Sequence, residues 1–303
     1  MNQTIMVSLV GEQPIPNLLP VKHYQPHWVL LVYSNFTQRA AKRFARLIKN
    51  ETEVSELEVD AYDIVTVQEK IAGKLCERVV DTDKVIFNIT GGTKPMSLAA
   101  FLVATREQAN VCYLQTEGKK SRLFSYKTSP SGPVFEQNIV LTGLITISDY
   151  LNAYLDSYNQ TGFAKVDPGR SFEEAIYKVL EPSVDEILKG TSLLNALEVD
   201  FVVRCENQVG IIEAKTGKKA LTKEGIDQLN TAGGRDYLGT YTQKFFVIDR
   251  EWTERSNLRE LAQARGIHLI EMPSYGSSNK ISEKDAAQLR QVVTKALGKE
   301  VTP

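Results

Sequence analysis

The chain has 303 residues, of which 42% are hydrophobic and 24% charged, with a formal net charge of −1. That length suits about two domains, and the near-neutral balance means that any nucleic-acid affinity must come from a local patch. No run of about eighteen apolar residues occurs, which excludes a membrane-spanning helix.

Met1-Asn2-Gln3-Thr4-Ile5 has neither the basic stretch nor the apolar core of a secretory leader. Cys76, Cys112 and Cys205 are scattered and odd in number, with no metal-ligand or disulfide spacing, so a reducing cytoplasm is expected. His23, His27 and His268 are the only histidines. The first two read as loop residues and the third as structural, which argues against a histidine-based nuclease or a zinc hydrolase.

Ile5 to Val10 is a short apolar strand ending in Gly11-Glu12-Gln13-Pro14-Ile15-Pro16-Asn17, a stiff loop with polar side chains. Trp28 to Tyr33 is a continuous apolar run of the kind buried on both faces of a parallel sheet. Ser34 or Asn35 can cap the helix expected from Gln38 to Ile48. The alternation continues with a strand at Leu57–Val59, a helix from Ile64 to Val79, and a buried strand Lys84–Ile89. That strand runs into Thr90-Gly91-Gly92-Thr93-Lys94-Pro95-Met96, then a helix to Arg106 and a strand Val111–Leu114. Shorter, antiparallel strands are expected near Ser121–Tyr126 and Val134–Leu141. The pattern is Rossmann-like α/β.

The Thr-Gly-Gly-Thr-Lys turn has two readings. Glycines let a backbone approach a phosphate, and a helix start offers N–H groups to anions; equally, it is a tight strand–helix turn with no ligand. It has neither Walker A order nor the Gly-x-Gly-x-x-Gly fingerprint, which weakens ATPase and dinucleotide-oxidoreductase readings.

Val7 to Pro14, Asn17 to Pro20 and Thr90 to Pro95 together resemble the CARF domain, the CRISPR-associated Rossmann fold, in the branch fused to a nuclease in type III CRISPR ancillary effectors. The resemblance implies a homodimer that binds a cyclic oligoadenylate, taken as the tetra-adenylate, across its interface. It implies ring contacts from Thr90, Gly91, Gly92, Thr93 and Lys94, with further contacts from Gln13, Asn17, Ser34 and Asn35. A twofold dimer suits a ligand of matching symmetry.

Ser148 to Ser157 reads as a short amphipathic helix, broken at Asn159-Gln160-Thr161-Gly162. The expected division is residues 1–145, a connection at 146–165, and a second domain at 166–303. A turn at Asp167-Pro168-Gly169-Arg170-Ser171 leads into a helix from Phe172 to Leu180, where Glu173 and Glu174 are either helix-start acids or site carboxylates.

A β-hairpin follows. One arm is Glu198 to Val203, the turn is Glu206-Asn207-Gln208, and the return arm is Gly210 to Lys215. Side chains alternate, so Glu213 and Lys215 share a face, and Asp200 can reach the same end of the sheet. Two carboxylates and an ammonium suit a hard divalent cation, Mg²⁺ or Mn²⁺, and metal-assisted phosphodiester cleavage. The bland alternative is a surface hairpin with solvated ends.

The order helix-Glu, strand-Asp, strand-Glu-x-Lys matches the PD-(D/E)xK core of restriction-endonuclease-like domains, with Glu173 the better match and Glu174 second. The family's proline is replaced by Val199. The resemblance implies metal ligation by Asp200, Glu213 and Glu173, catalysis by Lys215, and a role for Gln228, on a helix from Thr222 to Asn230, in positioning water or phosphate. Otherwise Gln228 is a solvated helix residue. Lys215, Lys218, Lys219, Lys223 and Arg235 form a local basic cluster suited to a DNA or RNA backbone, or a solvated face. Phe245–Ile248 and Ile267–Ile270 read as core strands, and Glu254–Arg265 and Glu283–Leu297 as helices.

The expectation is an α/β protein with a CARF domain followed by a PD-(D/E)xK domain, acting as a cyclic-oligoadenylate-activated, metal-dependent endonuclease in antiviral defence. The rivals are an inactive sensor, an enzyme that degrades the cyclic ligand, and an oxidoreductase.

Overall fold

The structure is a computed structural model that describes residues 4–78 and 84–299. The leader reading rests partly on residues 1–3, which lie outside the described residues. The chain divides into two compact units, residues 1–144 and 145–303.

The first unit is built on seven strands in the order β3-β2-β1-β4-β5-β6-β7. The strands are β1 (Ile5–Leu9), β2 (Trp28–Tyr33), β3 (Glu53–Glu58), β4 (Val85–Asn88), β5 (Asn110–Glu117), β6 (Lys120–Lys127) and β7 (Val134–Leu141). The first five pair in parallel and the last two antiparallel. Helices α1 (Ile15–Tyr24), α2 (Gln38–Ile48), α3 (Ile64–Cys76) and α4 (Lys94–Arg106) connect the parallel strands. β1 and β2 are buried along nearly their whole length, as near-continuous apolar runs require when helices cover both faces. Leu9, Leu30, Val32, Phe87, Ala100 and Val103 are among the side chains that meet in one core.

Several sequence expectations shift here, among them β3, which spans Glu53–Glu58 where Leu57–Val59 was expected. The Gly11–Asn17 loop ends at Pro14, because Pro16 fits the first turn of α1; His23 therefore lies in a helix, not a loop. Helix α3 ends at Cys76, and Val79, expected as its last residue, lies outside the described residues. β6 is eight residues, one longer at each end than expected, whereas β7 has the expected bounds.

The second unit holds six strands in the order β13-β12-β11-β10-β9-β8. They are β8 (Tyr158–Gln160), β9 (Glu186–Leu193), β10 (Leu197–Cys205), β11 (Gln208–Lys215), β12 (Gln243–Ile248) and β13 (Ile267–Glu271). β8 to β11 are antiparallel, and β11, β12 and β13 run parallel. The helices are α5 (Ile147–Tyr154), α6 (Gly169–Leu180), α7 (Glu224–Ala232), α8 (Asn257–Ala264), α9 (Pro273–Ser278) and α10 (Glu283–Ala296). Phe172 and Ile176 of α6 pack with Phe201, Ile212 and Phe245 in the core of this sheet.

Residues 146–165, expected as a connection, are built into this unit. Glu186 accepts the Ile147 N–H at 2.8 Å, Tyr150 donates to the Leu238 carbonyl at 3.1 Å, and β8 pairs with β9. β8, β9 and α9 were not read from the sequence. β9 carries Lys189, Gly190, Thr191 and Ser192 among its apolar residues, so alternation is weak there.

Candidate functional site

Each unit brings predicted residues together. In the first sheet the strand order reverses between β1 and β4, and ligands of open α/β sheets sit beyond the carboxyl ends of strands at such a point. A cleft of about 510 Å³ opens there. Its lining includes Gln13, Ser34, Thr90, Gly91, Gly92 and Thr93.

The glycines are required by sterics. A Cβ on Gly91 would stand 2.0 Å from the Leu9 carbonyl oxygen, and Gly92 has φ +72°. The turn therefore lies directly against the end of β1.

Its threonines are committed to the protein. Thr90 donates to Asn88 Oδ1 at 2.6 Å and accepts from the Leu114 N–H at 2.8 Å. Thr93 donates to the Ala61 carbonyl at 2.6 Å and accepts from the Met96 N–H at 3.3 Å. Pro95 has no N–H, and the Ser97 N–H donates to the Thr93 carbonyl at 2.9 Å. Much of the anion-binding capacity expected of the start of α4 is thus already used. What remains lies in the main chain of the turn and the exposed Lys94.

Asn17 does not line the cleft. It is fully buried, and its Oδ1 accepts from Ser8 Oγ at 2.9 Å and from Asn88 Nδ2 at 3.3 Å. Asn88 Nδ2 also reaches the Pro16 carbonyl at 3.2 Å. Asn88 thus fastens the start of α1 to the glycine turn, a role not read from the sequence, where it was simply part of a strand. Asn35 is exposed and lines a neighbouring cleft.

In the second unit the hairpin arms register Phe201 with Ile212. This sets Asp200 beside Glu213 at one end, and the Ala214 N–H donates to Asp200 Oδ2 at 2.7 Å. Glu213 is fully buried, and Lys215, two positions along the same strand, donates to its Oε1. Among the described residues, Glu213 Oε2 has no hydrogen-bond partner.

Helix α6 brings Glu173 to the same place. It is 5% exposed, and its Oε2 accepts from the Ala164 N–H at 2.8 Å. Glu174 turns away and pairs with Arg170 at 2.9 Å. Gln228 on α7 donates to the Glu198 carbonyl at the start of β10, so it contacts the strand that carries Asp200.

The electrostatics follow from three carboxyls sharing one ammonium. Burial and the Asp200 carboxylate push the Glu173 carboxyl up to about 7, against the pull of the Ala164 N–H and Lys215. Burial, then Asp200, raises Glu213 well above the ordinary carboxylate range. Burial raises Asp200 as well, with Lys215 opposing. Burial works against the Lys215 charge, but Glu213 and Asp200 outweigh it and hold the ammonium above its usual value.

Among the described residues no group of three or more His, Cys, Asp or Glu side chains stands in ligating geometry. The chemistry of the site nonetheless fits a hard cation. An orphaned, fully buried carboxylate oxygen and mutually repelling carboxyls are what a divalent ion would neutralise. Beside this site, the turn Gly217–Leu221 exposes Lys218 and Lys219. It is fixed by Gly217 N–H to Asp249 Oδ2 at 2.8 Å and by Trp252 Nε1 to the Ala220 carbonyl at 2.9 Å. Lys223 leans toward Asp227 at 3.8 Å.

Comparison with known proteins bears on both units. Residues 5–150, just under half of the chain, match the family described as the Card1 CARF domain. Among solved structures, Can2 from Sulfobacillus thermosulfidooxidans, in complex with cyclic tetra-adenylate, aligns with TM-score 0.70 and 17% identity over 97% of this chain and 99% of its own. Protein VC1899 from Vibrio cholerae aligns with TM-score 0.71 and 14% identity over 98% and 99%. A type III CRISPR defence DNA nuclease activated by cyclic oligoadenylate aligns with TM-score 0.62 and 17% identity over 83% of this chain and 46% of its own. At such identities the likeness is one of fold. By sequence, the chain matches none of the curated proteins.

Proposed function

We propose, from the premise that residues 5–150 form a CARF domain of the Card1 family, that this protein is a cyclic-oligoadenylate-activated, divalent-metal-dependent endonuclease of type III CRISPR defence. The observation that carries the nuclease half is the convergence of Asp200, Glu213, Glu173 and Lys215 at one end of the second sheet. The folds of Can2, solved with cyclic tetra-adenylate, and of the cyclic-oligoadenylate-activated DNA nuclease support the pairing of sensor and effector.

In this reading a twofold pair of N-terminal units takes the tetra-adenylate, each supplying one half-site. Gln13, Ser34 and the turn Thr90–Lys94 form that half-site, and Asn17 supports it from beneath. Asp200, Glu213 and Glu173 would hold Mg²⁺ or Mn²⁺. When bound, such an ion polarises a phosphate and acidifies a water.

The chain's own groups do the rest. Lys215 supplies a fixed ammonium beside the charge that develops on the phosphate. Lys218 and Lys219 offset the charge of a DNA or RNA backbone. Gln228 fixes the start of β10. The ring acts as a switch only if it binds the active arrangement more tightly than the resting one.

A cleavage assay tests this: supercoiled plasmid and labelled single-stranded DNA and RNA, with Mg²⁺ or Mn²⁺, with and without cyclic tetra-adenylate. The expected result is cleavage that needs both ring and metal and is lost in Lys215→Ala protein that still binds the ring. Cleavage retained in that variant overturns the site. Ring binding with no cleavage in any lane leaves a sensor.

A further inference from the structure

Two clefts open at the carboxyl edge of the first sheet, and they share a wall. The cleft over the glycine turn is one. The second, about 520 Å³, is lined by Asn35, Glu58, Asp60 and Lys70. Phe36, Ala61 and Tyr62 border both.

The two sides differ in chemistry. The glycine side offers main-chain groups and Lys94, which suit phosphate. The other side offers carboxylates, an amide and aromatic rings, which suit a heterocycle that carries an amine.

Phe36 is 79% exposed and Tyr62 71%. A single exposed aromatic is ordinary. Here two rings from different loops stand on one rim, and both loops are pinned. The Ser34 N–H donates to Thr37 Oγ1 at 3.2 Å across the turn that carries Phe36. The Tyr62 N–H donates to Asp60 Oδ1 at 2.9 Å, and Thr93 Oγ1 donates to the Ala61 carbonyl. Thr93 therefore couples the glycine turn directly to the loop of Tyr62. Rings held out in water on fixed loops lose little entropy when a planar group stacks on them.

We infer that Phe36 and Tyr62 are the base platform of the N-terminal site: with a nucleotide's phosphate at the glycine turn, its adenine stacks on these rings and extends into the second cleft. There Asp60 and Glu58 are acceptors for the exocyclic amine at the purine 6-position. Hypoxanthine, with a carbonyl oxygen at that position, sets acceptor against acceptor. This inference rests on the cyclic-oligoadenylate reading and adds which residues hold the bases and select adenine.

The test is calorimetric titration of the full chain with cyclic tetra-adenylate and with cyclic tetra-inosinate. Phe36→Ala, Tyr62→Ala and Tyr62→Phe proteins run beside the wild type, with circular dichroism to confirm folding. Stacking on an aromatic typically gives losses of about tenfold or more on truncation to alanine. That loss is expected for both alanine variants, with Tyr62→Phe within about twofold of wild type, and the inosinate ring about tenfold weaker than the adenylate. Alanine variants that bind like wild type, or equal binding of the two rings, overturn the platform and leave the proposed function standing. A wild type that binds no ring overturns both.

Discussion

Lys215 and Glu213 close an ion pair within one strand, and Glu213 Oε2 is left buried with no hydrogen-bond partner among the described residues. Removing one member of a buried pair costs about 3–5 kcal/mol, because a charge is stranded. Burial already raises the Glu213 carboxyl, so it can take up a proton instead. Lys215→Ala should therefore melt well below wild type at pH 8 and much closer to it at pH 5. Thermal melts at the two pH values, without metal, check this; an equal deficit at both would show that Glu213 does not titrate with the site.

The Glu173 carboxyl sits at about 7, against 4.5 ordinarily. A raised carboxyl binds its proton more tightly folded than unfolded, so stability is greatest below about 4.5 and falls as pH rises toward 7. That difference corresponds to about 3 kcal/mol. Urea titrations of metal-free protein from pH 5 to 8 should show this decline, and Glu173→Gln should flatten it.

Metal binding should oppose the same decline. Ligation requires deprotonated carboxylates, so Mg²⁺ should raise the melting temperature more at pH 8 than at pH 6. Chelation should return the protein to its metal-free melting point. Asp200→Asn should remove most of the Mg²⁺ effect, and a full Mg²⁺ shift in that variant would move the ion elsewhere.

Asn88 connects Ser8, Asn17, Pro16 and Thr90. Asn88→Ala removes its bonds to the Pro16 carbonyl and to the Thr90 N–H and hydroxyl, while Ser8 and Asn17 keep each other; a polar group left unsatisfied costs about 1–3 kcal/mol. The variant should lose stability and bind cyclic tetra-adenylate more weakly than wild type, although Asn88 itself is buried beneath the turn. Gly91→Ala should have a related effect for a different reason, because its Cβ would collide with the Leu9 carbonyl. Melting curves and ring titration of both proteins measure these effects.

Much of this architecture was legible in the sequence because strand and helix periods are local. Trp28–Tyr33 and Lys84–Ile89 announce buried parallel strands, and the hairpin pattern brings Asp200 to the end of the sheet that holds Glu213 and Lys215. Glu173 could be separated from Glu174 only by resemblance, since adjacent helix positions differ by the face that packing selects. Asn17, expected in a loop that faces the ligand, lies instead in α1 with its side chain turned to Ser8 and Asn88, because polarity in a sequence does not reveal whether a side chain points outward or inward to a partner. β9 was missed because Lys189, Gly190, Thr191 and Ser192 conceal its alternation. Phe36 and Tyr62 carry no periodic signal at all; only their exposure on fixed loops sets them apart.

The hydroxyls of Thr90 and Thr93 are both spent inside the protein. A ligand meeting this turn would therefore read main chain more than side chain. An alanine scan from Thr90 to Lys94 would under-report the turn's worth, since truncating a side chain removes no amide. Apart from Lys94, the informative changes there are those that alter backbone geometry, and sequence drift at the threonines would be limited by the fit of the loop more than by the identity of what it holds.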